Sequence, residues 1–283
     1  MREAHTYENI SPTAVLIAYL RSFSDIPYSK EIFGEISTEE KFEDQKSLAP
    51  RYEARYKLVD QMLAKFGTPQ ILEVAAGFAP RGLVMAADDS SGKYLEFDLP
   101  IQVSNKEHLV QGLERRHGLH RPANWEIISG NALDSLGKTL DHFDRDKPIS
   151  VINEGLMRYL TMREKARLAA NVYHLLEVTG GVWITPDITL SSMVGGSNPL
   201  SRLANRVSQI SRIDLTGNNF KDVEEGEEFF NNQGFNVERH SFLEVSDLLT
   251  SPRRLGISSR TVEELNAGSV LFVMTPTPKI HLI

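Results

Sequence analysis

Apolar residues recur along this chain with two different periods, and the change from one to the other comes near residue 70. Before that point the spacing is helical. Ser11-Pro12 offers a side-chain acceptor followed by proline at the first helical position, which predicts a helix running to about Asp25. Pro27-Tyr28-Ser29 breaks it, and the polar stretch through Glu43 suits short helices. A long helix follows over roughly 51–66, stopped by Gly67 and Pro69. Residues 1–68 contain no convincing strand and read as a helical cap in front of a sheet.

From Gln70 short apolar runs alternate with amphipathic segments. Strands are predicted at 70–75, 93–98, 124–129, 148–153 and 181–187, and helices at 80–88, 101–117, 133–142 and 161–178. That alternation with short connections defines an α/β fold with a parallel, doubly wound sheet. Ile149-Ser-Val-Ile-Asn153 and Gly181-Val-Trp-Ile-Thr185 have the apolar character of strands covered on both faces. Residues 191–219, rich in Ser, Gly and Asn but with a helix over 199–213, read as a lid-like insertion. A helix around 221–233 precedes two strands, 235–242 and 269–275, with no long crossover helix between them. They are expected to pair antiparallel, although a link of about 26 residues is long for a hairpin. The expected architecture is Rossmann-like: seven strands in a domain over 69–283, a C-terminal antiparallel hairpin and the N-terminal cap.

Composition narrows the partners. A chain of 283 residues with 41% hydrophobic residues can build a sizeable core, and a net charge of −7 disfavours nucleic acid or an anionic membrane. The absence of cysteine excludes disulfides, zinc–thiolate sites and thiol catalysis, and the eight histidines show no metal-ligand spacing, so no metal is expected. Met1–Asn9 is too polar for a signal peptide, and Ala14–Leu20 is far too short to span a bilayer. The expectation is a cytoplasmic protein acting on a small molecule, with its oligomeric state open.

The chemistry concentrates in Ile71-Leu-Glu-Val-Ala-Ala-Gly-Phe-Ala-Pro-Arg-Gly82, a buried strand turning through small residues into a helix. Open α/β sheets build nucleoside pockets this way. Asp98, 21 residues beyond Gly77 at the end of a second strand, suits a ribose diol. A dinucleotide site needs G-x-G-x-x-G; here Ala75-Ala76 precede a single glycine, and Pro80-Arg81 stands where a pyrophosphate needs close backbone contact. A cofactor with adenosine but no phosphates fits better, and S-adenosylmethionine is one.

Five segments occur in one order: Ile10-Ser-Pro-Thr-Ala-Val-Leu-Ile-Ala-Tyr-Leu-Arg21, Arg51-Tyr-Glu-Ala-Arg55, Glu73-Val-Ala-Ala-Gly77, Glu96-Phe-Asp-Leu-Pro100 and Asn153-Glu-Gly-Leu-Met-Arg-Tyr-Leu160. Together, over about residues 10–187, they resemble the leucine carboxyl methyltransferase family, including its bacterial branch of polyketide-type O-methyltransferases. The family's usual loop has glycine where this chain has Ala75. The resemblance implies that Arg55 grips the cofactor's carboxylate, Gly77 gives backbone access beside the methionine–ribose junction, and Asp98 holds the ribose. It further implies that Asn131-Ala132-Leu133 bracket adenine and that Glu154 faces the ammonium and sulfonium end.

Read without the family, these residues keep other roles open. Arg55 could be a solvated helix arginine, and Glu73 either a satisfied core carboxylate or a loop contact. Asp98 could cap the helix after Pro100. Arg158 and Tyr159 are substrate-side candidates, as are Arg21 and Tyr28, with core packing an equal alternative for Tyr159. No residue stands out as a general base. A carboxylate acceptor needs none, whereas a phenol benefits from one. The resulting expectation is an S-adenosylmethionine-dependent O-methyltransferase that esterifies a small-molecule carboxylate. The alternatives are a phenol or enol O-methyltransferase on a polyketide-like substrate and, from other classes, an NAD-dependent dehydrogenase or a non-catalytic nucleoside-binding protein.

Overall fold

The computed structural model describes residues 11–37, 42–194, 199–211 and 217–278. Three α-helices, α1 (Ser11–Arg21), α2 (Ser29–Ile36) and α3 (Ala49–Phe66), precede the sheet, with a 3-10 segment at Glu43–Leu48. The alternating part then runs β1 (Gln70–Val74), α4 (Arg81–Asp88), β2 (Lys93–Asp98), α5 (Pro100–His117), β3 (Trp125–Ser129), β4 (Ile149–Asn153), α6 (Met162–Thr179) and β5 (Gly181–Thr185). After β5 come α7 (Ser191–Val194), α8 (Pro199–Ser211), α9 (Val223–Asn232), β6 (Phe235–Ser241), α10 (Ser251–Leu255), α11 (Ser259–Asn266) and β7 (Val270–Pro276).

The seven strands form one sheet in the order β3-β2-β1-β4-β5-β7-β6. The first five are parallel, and β7 lies antiparallel between β5 and β6. The expected α/β architecture and C-terminal antiparallel pair are both present. The link between β6 and β7 is long because it carries a 3-10 turn (Phe242–Leu248) and helices α10 and α11, all packed on α3. Strand order reverses between β1 and β4, which opens a crevice at their C-terminal ends, the place where such sheets bind ligands.

Two predicted helices end differently. The first stops at Arg21, where the Ser22 and Ser24 hydroxyls turn back onto the Tyr19 and Arg21 carbonyls. The one expected over 133–142 is a 3-10 helix over Leu136–His142. Ahead of it the Asn131 side chain takes the Leu133 N–H, and the Asn131 carbonyl takes those of Asp134 and Ser135, so the chain turns before it can wind. Residues 195–198 and 212–216 of the expected 191–219 insertion, the second stretch taking in the last two positions of its predicted 199–213 helix, lie outside the described residues.

Helix α3 covers the sheet itself. Leu58, Val59, Met62 and Leu63 pack with Ile152 of β4, Val182 and Ile184 of β5, and Leu271 and Val273 of β7. The remaining cover before β1 is lighter: α1 packs on α2, α3 and α8. Helix α8, from the expected insertion, thus meets the N-terminal helices above the strand ends.

Candidate active site

The strand order leaves a cavity of about 140 Å³ above β1, β2 and β4. Its floor is the segment that the sequence singles out. The loop after β1 runs Ala75-Ala76-Gly77 with φ of 57° at Ala75 and 53° at Gly77, both left-handed. Glycine takes that conformation freely, but alanine does so at a cost of about 1–2 kcal/mol. Ala75→Gly should therefore relieve strain that outweighs glycine's extra unfolded-state entropy, about 0.4–1 kcal/mol. A net gain of roughly 0.5 kcal/mol in urea unfolding is expected; a clear loss would show that the alanine methyl contributes packing.

Asp98 closes this loop. One carboxylate oxygen accepts from Gly77 N at 2.8 Å and the other from Leu99 N at 2.8 Å. The helix-capping alternative is not realised, because α5 has Leu99 at its N-cap and no side-chain cap. Burial pushes the Asp98 carboxyl up to about 6, against the pull of those two N–H groups and of Lys106. Next to it, Asn131, Ala132 and Leu133 line the cavity together with Phe97, Leu99 and Gln102. Asn171 of α6 holds that segment by donating to the Ala132 and Leu133 carbonyls.

Beyond the loop lies an arginine cluster around the Glu154 carboxylate. Arg81 donates to it at 2.6 Å, Arg55 at 2.8 Å and Arg21 at 3.3 Å. Burial opposes ionisation of Glu154, but Arg81, Arg21 and Arg55 outweigh it and hold the carboxyl well below the usual range. Arg81 is the hub. It is fully buried, also bonds Glu73 at 2.8 Å and the half-buried Asp60 at 2.6 Å, and stacks on Tyr56 with its guanidinium 4.0 Å from the ring centre. Tyr94 completes Glu73 by donating a 2.6 Å hydrogen bond. Gly82 lets α4 sit this deep: a Cβ there would come within 2.4 Å of Glu96 Oε1 and 2.8 Å of Trp125 Nε1.

The turn after β4 is fixed from below by Asp187. Its carboxylate accepts from the N–H groups of Gly155, Leu156 and Met157 and from the Asn153 amide, at 2.6–3.2 Å. This presents Glu154, Arg158 and Tyr159 to the cavity, and Tyr159 OH is 2.8 Å from Thr13 Oγ1 of α1.

The structure therefore brings Arg55, Glu73, Gly77, Asp98, Asn131, Ala132, Leu133 and Glu154 into the walls of one cavity, with Arg21, Arg158 and Tyr159. Tyr28 lies elsewhere: it precedes α2 in a left-handed conformation and packs against the main core. Sequence reasoning missed Arg81, Asp187 and Asn171. In the sequence Arg81 stands only as an obstacle to a pyrophosphate; no local spacing announces a partner such as Asp60 or Glu154. Among the described residues, no group of His, Cys, Asp and Glu side chains is arranged to hold a metal ion, and no helix is long and apolar enough to cross a membrane.

This loop, acid and crevice arrangement is that of a class I methyltransferase. The model of the leucine carboxyl methyltransferase family matches residues 14–173, more than half of the chain, and the protein belongs to that family. Its cofactor is accordingly S-adenosylmethionine. Among solved structures, the chain is similar to a DUF574 family protein from Streptomyces avermitilis at 14% identity and a TM-score of 0.57, covering 94% of this chain and 97% of that one. It is similar to a protein described as a candidate methyltransferase from Thermobifida fusca at 13% identity, TM-score 0.53, with 93% and 94% covered. A third, described as a candidate O-methyltransferase from Nostoc punctiforme, aligns at 13% identity, TM-score 0.52, over 92% of this chain and 72% of that one. At such identities these likenesses speak for the fold alone. Comparison with curated protein sequences finds no match.

Proposed function

We propose that this protein is an O-methyltransferase that transfers the methyl group of S-adenosylmethionine to a carboxylate of a small molecule. The observation that carries the acceptor assignment is the character of the cavity wall. Among the described residues it contains no histidine, lysine or cysteine, and its three carboxylates are engaged: Glu73 by Arg81 and Tyr94, Glu154 by three arginines, Asp98 by two backbone N–H groups. A phenol, with a pKa of about 10, gains roughly 10²–10⁴-fold from a general base, whereas a carboxylate at about 4 arrives ionised. A wall without a free base suits the carboxylate. Catalysis is then alignment of oxygen, methyl and sulfur in one line, worth roughly 7–11 kcal/mol when geometry is well held.

In this reading Asp98 takes the ribose. A carboxylate has about four lone-pair sites, and the two backbone donors leave one on each oxygen for a pair of vicinal hydroxyls. Leu99, Ala132 and Leu133 flank adenine. Arg55 reaches the cofactor's carboxylate through its guanidinium nitrogens beyond the Nε that holds Glu154. Glu154, with its charge shared among three arginines, keeps those cations fixed and leaves a carboxylate beside the ammonium. The helices before β1 (within residues 1–68) and helices α7 and α8 of the 191–219 insertion cover the acceptor side. Tyr159–Thr13 and Val207 of α8, both at the cavity wall, tie that cover to the site.

The test is the fate of the methyl group. With methyl-labelled cofactor and a panel of carboxylic acids and phenols, the label should appear in an alkali-labile ester and leave as methanol. Alkali-stable label on a phenolic acceptor would move the assignment to phenol methylation.

A further inference from the structure

Behind the first cavity lies a second, of about 50 Å³, under helices α7 and α8. Among the described residues the two share only Arg55 and Arg158 in their walls. The second touches none of the residues of the 73–79 loop, of 97–99 or of 130–133, so a group seated there is not against the nucleoside end of the cofactor.

Its charge is unbalanced. Three guanidinium groups, Arg51, Arg55 and Arg158, face one carboxylate, Asp187, an excess of two positive charges. Asp187 is itself consumed by one amide and three backbone N–H groups. Arg51 is spoken for by the Leu265 carbonyl, the Ser269 hydroxyl and the Met193 sulfur, while Arg55 holds Glu154 through Nε and, in the reading above, gives its other nitrogens to the cofactor's carboxylate. Arg158 has no ion pair or hydrogen bond among the described residues, and its Nε is buried without a partner. A buried guanidinium donor without an acceptor is costly, and in a cavity it marks a missing ligand oxygen. The wall also has an apolar part, with Ile188, Leu200, Leu203 and Phe242.

We propose that the second cavity is an anion subsite for the methyl acceptor, in which Arg158 holds a carboxylate attached to an apolar body. The inference rests on the methyltransferase reading and adds the class of acceptor. At roughly 10–15 Å³ for each water-sized group, the cavity has room for about three to five such groups, the size of a carboxylate with one or two carbons behind it. The planar fork of an arginine matches that head, and Arg51 and Arg55 add field without competing for it. The carboxylate held there is a recognition group. The oxygen that receives the methyl belongs in the first cavity, so the acceptor carries a second oxygen nucleophile besides its anchoring acid.

Calorimetry on the protein saturated with S-adenosylhomocysteine tests this, with hexanoate and hexanamide as probes. The wild-type protein should bind hexanoate ~10-fold or more tighter than hexanamide, the range for a charge-assisted hydrogen bond. Arg158→Gln should erase that preference while binding S-adenosylhomocysteine within about threefold of wild type, and Arg158→Lys should restore part of it. Because the Arg158 side chain has no partner among the described residues, both variants should melt close to wild type, which separates binding from folding. Equal binding of the two probes by the wild-type protein overturns the subsite, as does a preference that survives in Arg158→Gln. Loss of S-adenosylhomocysteine affinity as large as the loss of hexanoate affinity also overturns it, by giving Arg158 to the cofactor's own carboxylate. A wild-type protein that fails to bind S-adenosylhomocysteine overturns the methyltransferase reading as well.

Discussion

Replacing Arg81 by methionine should destabilise the protein by about 3–5 kcal/mol, the cost of removing one partner from a buried ion cluster. The size follows from what is left behind. Glu73 and Glu154, with side chains 1% and 3% exposed, would lose the guanidinium that lies between them. Methionine fills volume but supplies no donor, and lysine cannot reproduce the fork that reaches Asp60, Glu73, Glu154 and the Tyr56 carbonyl together. Urea unfolding gives the number. Adding Glu73→Gln to Arg81→Met should recover part of the loss, since an uncompensated charge is removed. A single-variant loss below about 1 kcal/mol would mean that water enters the cluster and that the arginine is not its hub.

Asp187→Ala should cost about as much, roughly 3–5 kcal/mol, because three backbone N–H groups and an amide are left without an acceptor in a nearly dry site. Asp187 is 7% exposed, so little solvent is at hand to replace it. The effect should reach function as well: the turn carrying Glu154 and Arg158 is held in shape by that carboxylate, and affinity for S-adenosylhomocysteine should fall with stability. Asp187→Asn should be intermediate, since its one remaining acceptor oxygen can serve some of the four donors. Near-wild-type unfolding of Asp187→Ala would show that the turn is stable on its own hydrogen bonds.

The fold was legible where hydrophobic period and turn chemistry agree. Each of the five parallel strands falls within a residue or two of its predicted bounds because a short apolar run flanked by Gly, Pro or polar residues has little choice. The sequence of the segment after β3 suggests an α-helix because its composition permits one. The competing Asn131 turn is decided by a single side-chain hydrogen bond, which hydrophobic spacing does not register. The cavity-lining residues were legible mainly because the crevice of an open sheet lies at the ends of β1, β2 and β4, and Gly77, Asp98 and Glu154 occupy those ends. Arg81, Asp187 and Asn171 were not legible. Each makes contacts across the fold, with Tyr56, Gly155 and Ala132 at 25, 32 and 39 positions away respectively, and no local pattern encodes such a meeting. Ala75 lies between these cases: the departure from glycine is visible in sequence, and the left-handed φ that makes it strained is visible only in the structure.

Titration of S-adenosylhomocysteine into the protein, by calorimetry at pH 7.5 and again near pH 5, addresses the cofactor cradle most directly. At the higher pH Asp98, with its carboxyl near 6, is ionised and can accept from the ribose hydroxyls. As pH falls through about 6 the carboxylate takes up a proton, and affinity should drop, approaching ~10-fold per pH unit at most. One S-adenosylhomocysteine per chain at pH 7.5, weaker binding at pH 5 that Asp98→Asn makes nearly independent of pH, and no response to NAD is the expected result. Binding of NAD with no response to S-adenosylhomocysteine would contradict the assignment of this cavity to S-adenosylmethionine.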